Sequence, residues 1–455
     1  MKQQQNFQSL KPITLLLLLV PLGLASALVV NEITINNHAQ KIQDCAAEKE
    51  NCRGIIKSLE TLAQSERPIA NINVEKTHLV GVDLEGANLY GSNFKGANLN
   101  DANLNDANLN SANLIGASLN SASLNSAHLI GANLNSASLN SAHLNGTYLD
   151  GAHLNSASFD NSQLHGTRLY FAQLSSASFH NAHLQGTRFH GAHLEDASFN
   201  SAHLEDVSFN GAHLENATFN GANLLGVNFN GAHLESANFN SGSINNTNLN
   251  NASLNGASLN GASFHKASLN GASLNGASFH GASLNGASFH GASFHGASFH
   301  GASFHGASLE QADFRSKKVS GIGLWISRGN GFYYVSLIYK DTPAFDAGIR
   351  RGDRIALINK QNTEKIEIEK AHDLIFDKPF AKPGTKVTLT IERNNQKKEY
   401  SLITKGFTMS VQGLTPEQVK EANNWEKAYY DPEFHKRLGL PPESNEVISS
   451  NNSSR

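Results

Sequence analysis

Every fifth residue from Leu79 to Phe314 is Leu or Phe, with Ile244 the single exception, and the register never slips over 48 consecutive units. The residue two positions earlier is always small or β-branched, as at Ala87, Ala97, Thr147, Val207 and Gly242, while Asn, His, Ser, Asp and Gly fill the remaining places. A strict short period of this kind marks a solenoid, in which each unit buries its apolar face only by stacking on its neighbours.

This segment resembles the pentapeptide-repeat family, whose motif is small-Asn/Asp-Leu-x-x, and the resemblance runs over about half the chain without a break. It implies a mainly β fold for residues 77–316: a right-handed quadrilateral β-solenoid, one pentapeptide per side, with the central Leu or Phe and the small residue two before it pointing inward. The phenylalanines provide a check on that geometry. Phe159, Phe179, Phe199, Phe219 and Phe239 recur every 20 residues, as do Phe189, Phe209 and Phe229. Each set is expected to form a vertical stack; the offset of ten places the two sets on opposite sides, with Leu on the other two, filling a narrow shaft. Four units per turn give about 12 coils and a rod about 55–60 Å long at the ~4.8 Å strand spacing. Open ends would expose apolar surface and strand edges. The flanking helix and the C-terminal module are placed to cover them.

Upstream, Lys2 and Lys11 precede an apolar run of 18 residues, Ile13 to Val30, the length of a minimal membrane span. Residues 1–30 are expected to be an export signal, retained as an anchor with the rest of the chain outside. The alternative is cleavage near Ala27, within Ala25-Ser26-Ala27. The implied location is a bacterial inner membrane with the bulk of the chain in the periplasm, or, after cleavage, the periplasm or the exterior. In residues 31–76, Ile42, Cys45, Cys52, Ile56, Leu59 and Ala63 recur at three- and four-residue spacing, a helical pattern that ends at Arg67-Pro68. On one continuous helix Cys45 and Cys52 would be about 10.5 Å apart, too far for an intramolecular disulfide. The helix is expected to cap the first coil; a homodimeric coiled coil through residues 38–64 is the alternative.

Formal charge is −3 and only 16% of residues are charged, so neither a basic footprint nor an acidic tail is present. Some pentapeptide-repeat proteins are acidic rods that mimic DNA. Between Thr77 and Ser316 there are 14 Asp and Glu against 5 Lys and Arg, which is dilute beside a duplex with one charge per ~1.7 Å of axis. No nucleic-acid partner is expected. Most of the 21 histidines lie in the repeat: His193, His213 and His233 form one column, His280 and His300 a second, and His290, His295 and His305 fall on other faces. No carboxylate or cysteine joins them as a regular partner, and His stands where other units have Asn or Ser. No metal and no cofactor are expected.

The repeat composition stops at about Ser316. Over residues 317–405, strand-like runs (Tyr333 to Ile338, Arg354 to Ile358, Lys386 to Ile391, Glu399 to Ile403) surround one helical stretch, Ile368 to Phe376, the pattern of a small α+β module. Three segments occur in order: Ser320-Gly321-Ile322-Gly323-Leu324; Thr342-Pro343-Ala344-Phe345-Asp346-Ala347-Gly348-Ile349; and Lys382-Pro383-Gly384-Thr385. Together they resemble a bacterial PDZ domain, in pattern that of the carboxy-terminal processing proteases. Pro343 is suited to open a short helix, Gly348 to end it, and Gly352-Asp353 to turn into the next strand. The resemblance implies that the loop Gly321, Ile322, Gly323 and Leu324 offers backbone N–H groups to a peptide carboxylate. The peptide would add as a strand, with Leu324 and Ile326 at the groove and Ala371, Leu374 and Ile375 on the opposite wall.

Only 51 residues follow position 404, too few for the protease that accompanies such a domain, and no nucleophile–base pair is evident. Residues 406–455 read as a helical tail beginning at Thr415-Pro416-Glu417, with Trp425, Tyr429 and Leu438 along a hairpin and disorder from Ser444. The chain therefore reads as a non-enzymatic, exported adaptor anchored through residues 13–30, its rod presenting a PDZ domain that binds protein C-termini or extended peptides. The alternatives are a structural rod assembling through its surface, or a non-catalytic partner of a periplasmic protease.

Overall fold

In the computed structural model the described residues are 54–64, 69–329, 332–338, 341–350, 352–363, 384–393, 396–409 and 411–441. The apolar run 13–30, Cys45, Cys52, the wall residues Ala371, Leu374 and Ile375, and the segment from Ser444 lie outside them. Among the described residues no helix is long and apolar enough to cross a membrane.

The repeat folds as a β-solenoid. Each side carries a short parallel bridge to the residue 20 positions on, as in Asn98↔Ser118 and Ser118↔Ser138. Around one such bridge the Leu99 amide donates to the Ser118 carbonyl (2.6 Å), and the Ser118 amide donates to the Ala97 carbonyl (2.9 Å). The central Leu and Phe side chains and the alanines two before them are buried along the whole rod. The register also extends upstream of Leu79, because Val74 and Ile69 are buried in the same core.

Every fifth residue from Asn71 to Gln311, two after each central position, has positive φ. A left-handed residue turns the chain at each corner, which explains why Gly, Asn, Asp and Ser recur there. The phenylalanine columns form as the 20-residue spacing requires. Phe159 and Phe179 stack at 4.8 Å, Phe189 and Phe209 at 4.9 Å, and the two columns meet edge to face, with Phe179 and Phe189 centroids 5.8 Å apart at 84°. That arrangement suits the ring quadrupoles. Outside, the Asn100 side-chain oxygen accepts from the Asn120 amide (3.0 Å) and from Ser118 Oγ (2.6 Å), so outward Asn and Ser tie successive coils together.

Helix α1, Ile55–Gln64, closes the N-terminal end of the shaft. Ile55, Leu59 and Leu62 recur at helical spacing on one face and are buried in the solenoid core.

The C-terminal end differs from the tail-and-cap expectation. After Arg315 the chain leaves the rod through β1 (Lys317–Gly321), builds the α+β module, and returns through β8 (Lys405–Met409), which pairs antiparallel with β1. It then adds another layer to the solenoid: Gln412 bridges Ser298, Asn423 bridges Ser308 and Tyr429 bridges Asp313. On the remaining side sits α3 (Pro416–Lys420). Its Gln418 closes a capping box with Thr415 and donates to the carbonyls of Phe299 (3.2 Å), which also accepts from the Ala302 amide, and Ala302 (2.7 Å), standing in at the end of the ladder for the next coil's backbone donor. Helix α4 (Pro432–Leu438) follows, and Leu438 joins the rod's core. The cap is thus made by residues 411–441, and the module is an excursion inserted before it.

The module has its own core, which includes Ile322, Tyr333, Val335, Ile355, Leu389 and Leu402. Its sheet contains β2 (Leu324–Gly329), β3 (Phe332–Ile338), β4 (Arg354–Ile358), β6 (Lys386–Arg393) and β7 (Gln396–Ile403) in the spatial order β2-β3-β4-β6-β7, all antiparallel, with β5 (Gln361–Asn362) beside β4. Helix α2 (Pro343–Asp346) lies between β3 and β4 in sequence.

Candidate functional site

The loop between β1 and β2 is locked in shape by Thr342 and Ala344, at the start of α2. Gly323 has φ +80°, and a Cβ there would lie 2.2 Å from Thr342, so only glycine fits on both counts. The Ile322 carbonyl accepts from the Ala344 amide (2.9 Å), and Thr342 Oγ1 donates to the Gly323 carbonyl (3.3 Å). Pro343 occupies the first turn of α2, and Gly348 follows its C-cap with φ +76°. Asp353 anchors the next turn. It accepts from the Arg350 amide (2.7 Å) and from two nitrogens of Arg393 (2.6 and 2.5 Å). Burial pulls the Asp353 carboxyl up, but the Arg393 and Arg350 hydrogen bonds outweigh it and hold it below its ordinary range.

Of the sequence-derived residues, Gly321 ends β1, Gly323 forms the turn, and Ile322, Leu324 and Ile326 are brought together with their side chains buried in the module's core. What β2 offers a ligand is therefore its backbone. Among the described residues strand β2 stands at the end of the sheet, with β3 as its single strand neighbour. The rod meets the strand's outer edge at Ile326, whose carbonyl accepts a 2.9 Å hydrogen bond from Ser236 Oγ. A strand carbonyl lies in the plane of its sheet. Since β3 fills one side, Ser236 marks the other.

The rod surface agrees with that contact. Ser236 and Asn216, neighbours on one corner column, are 6% and 3% exposed, whereas Ser156 and Ser176 lower on the same column are exposed. Glu215 beside them is 4% exposed. Sequence reading missed this surface. A serine at a corner is ordinary in this repeat, and the bond joins residues 90 positions apart.

A second constellation corrects the reading that no carboxylate accompanies the histidines. Glu195 and Glu215 stand two residues after His193 and His213, with Oε1 3.1 and 3.5 Å from the respective Nδ1. The imidazoles of His193, His213 and His233 stack at 4.7 Å. Two triads, His193–Glu195–His213 and His213–Glu215–His233, place donor atoms within 4.8 Å of one another. The signal was present in the sequence as His-x-Glu at three positions 20 apart.

Comparisons with known proteins divide the chain at the same place. A model described as "Pentapeptide repeat region" matches residues 132–209 and 192–267, one for "Pentapeptide repeats (8 copies)" matches 70–106, 102–140 and 277–315, and one for "PDZ domain" matches 310–392. No curated protein matches the chain significantly. Similar solved structures include HetL, a pentapeptide repeat protein involved in heterocyst differentiation regulation from the cyanobacterium Nostoc sp. strain PCC 7120. It is 27% identical over 44% of this chain and 89% of its own, with a TM-score of 0.32. A second is QnrB1, a plasmid-mediated fluoroquinolone resistance protein, 20% identical over 37% of this chain and 79% of its own, TM-score 0.28. A third is the pentapeptide repeat protein Rfr23 from the cyanobacterium Cyanothece 51142, 29% identical over 21% of this chain and 58% of its own, TM-score 0.15.

Proposed function

Because this chain is a fusion of pentapeptide repeats with a PDZ domain, we propose that it is an interaction scaffold whose PDZ domain takes an extended peptide along β2, and whose rod holds that edge closed in the resting chain. The observation that carries this reading is the Ser236–Ile326 hydrogen bond on the outer edge of β2. An incoming strand needs the same backbone groups, so rod and peptide compete for them. The paired strands β1 and β8 are the connection between module and rod, and two strands form a narrow joint on which the module can swing.

The fixed loop around Gly323 is the place for a terminal carboxylate, as its family would use it. Chemistry is not part of this reading: the scaffold recognises, positions and releases a protein partner. The basic residues before the apolar run 13–30 support an exported chain held at a bacterial inner membrane, with the rod and module in the periplasm.

The test is fluorescence anisotropy of the full chain with a panel of labelled peptides, each with a free C-terminus and as its amide. Saturable binding lost on amidation supports carboxylate capture by the 321–324 loop. Equal binding of acid and amide forms would leave edge addition without carboxylate capture, and absence of binding by every peptide, to the wild-type chain and to Ser236→Arg alike, would overturn the peptide-binding role.

A further inference from the structure

We propose that the His193–Glu195–His213 triad binds one divalent transition-metal ion, with Zn²⁺ the occupant best matched to two imidazoles and a carboxylate. The solenoid sets the spacing. Neighbouring coils place the His193 and His213 rings 4.7 Å apart and nearly parallel. Zn²⁺ binds imidazole nitrogen at about 2.0–2.1 Å, so two nitrogens on one tetrahedral ion stand about 3.4 Å apart. Donor atoms within 4.8 Å reach that separation by modest rotation of each ring. The side chain of His193 is 49% exposed, which leaves room for its ring to turn and for water to complete the coordination shell.

Two further observations favour this site over the other histidine columns. Glu195 has its second oxygen held by Ser175 Oγ at 2.8 Å, so the carboxylate is oriented from outside the triad, as metal-ligating carboxylates usually are. The His-x-Glu units at 193, 213 and 233 also bring carboxylates to one face, where like charges at one strand spacing repel and a divalent cation relieves the repulsion; the fourth such unit, at His203, falls on another side. By contrast, His183 and His203 stack at the same 4.7 Å but form no such triad among the described residues. Because both triads use His213, one ion per chain is the expected occupancy.

The experiment is isothermal titration of the full chain with Zn²⁺ alone, paired with Co²⁺ substitution to read the coordination geometry from the visible spectrum. His213→Ala is expected to lose one ion per chain, Glu195→Gln to weaken that ion at least tenfold, and His203→Ala to leave it unchanged. The three altered residues are on the rod's outer surface, and circular dichroism confirms that the variants keep the fold. Zn²⁺ taken up equally by the wild-type chain and His213→Ala would place the metal elsewhere, for example at Cys45 and Cys52, and overturn the proposal. So would no uptake at micromolar Zn²⁺.

Discussion

Tyr430 stacks on Phe314, ring centroids 5.5 Å apart and planes 9° from parallel, continuing the column in which Phe314 stacks on Phe294 at 4.8 Å. A residue beyond the inserted module thus completes the interior of a solenoid whose repeat ended more than a hundred positions earlier. Tyr430 is 2% exposed and donates its hydroxyl to the Trp425 carbonyl (2.9 Å); burial, and then the nearby Glu426, push the phenol's pKa well up. The ring is therefore a neutral plug, polar at one point and satisfied there.

Truncating that plug opens the shaft. Tyr430→Ala is expected to cost about 3–5 kcal/mol, as large aromatic deletions in cores do, and Tyr430→Phe only about 1 kcal/mol for the lost hydrogen bond. Hydrogen exchange gives the sharper readout: amides of the terminal coils, such as Phe299 and Phe314, should exchange faster in Tyr430→Ala while those near Leu129 stay protected.

The corner residues give a prediction with opposite signs at one position. Ser136 is exposed with φ +57°, a conformation that suits glycine and penalises a β-branched side chain. Ser136→Gly should raise the melting temperature slightly and Ser136→Val lower it, each by an amount corresponding to about 1 kcal/mol. Equal effects of the two substitutions would show that corner conformation does not govern the local stability.

Acid sensitivity should follow the histidine stack. The His183 pKa is lowered from 6.5, first by burial and then by His203 and His165. A histidine whose folded value lies below its unfolded value stabilises the folded chain above the unfolded value, and that contribution is lost as pH falls through the folded one. The melting temperature of the wild-type chain should therefore drop between neutral pH and the acid side of 6.5, and His183→Asn should show a smaller drop over the same interval.

The rod was legible because one residue type repeats at one spacing: burial of the central residues and stacking of Phe159 on Phe179 both follow from a 20-residue turn. The short helix at Pro343 was legible for the same local reasons, a proline to start and Gly348 to stop. The cap was not. Gln412, Asn423 and Tyr429 pair with the last coil through backbone groups that any residue can supply, and they lack the five-residue period. Docking of β2 on the rod was hidden for a related reason, since a main-chain oxygen and an unremarkable serine carry it. Contacts made by backbone leave little trace in side-chain pattern, whereas the Glu195 partner of His193 did leave one.

The central claim is that rod and peptide compete for one edge of β2. Ser236→Arg puts a long charged side chain into the buried corner that faces Ile326 and should free the module without touching its own core. Measured by anisotropy with the same C-terminal peptide, the full-length Ser236→Arg chain should bind at least tenfold more tightly than the wild-type chain; equal affinities would contradict closure of the edge by the rod.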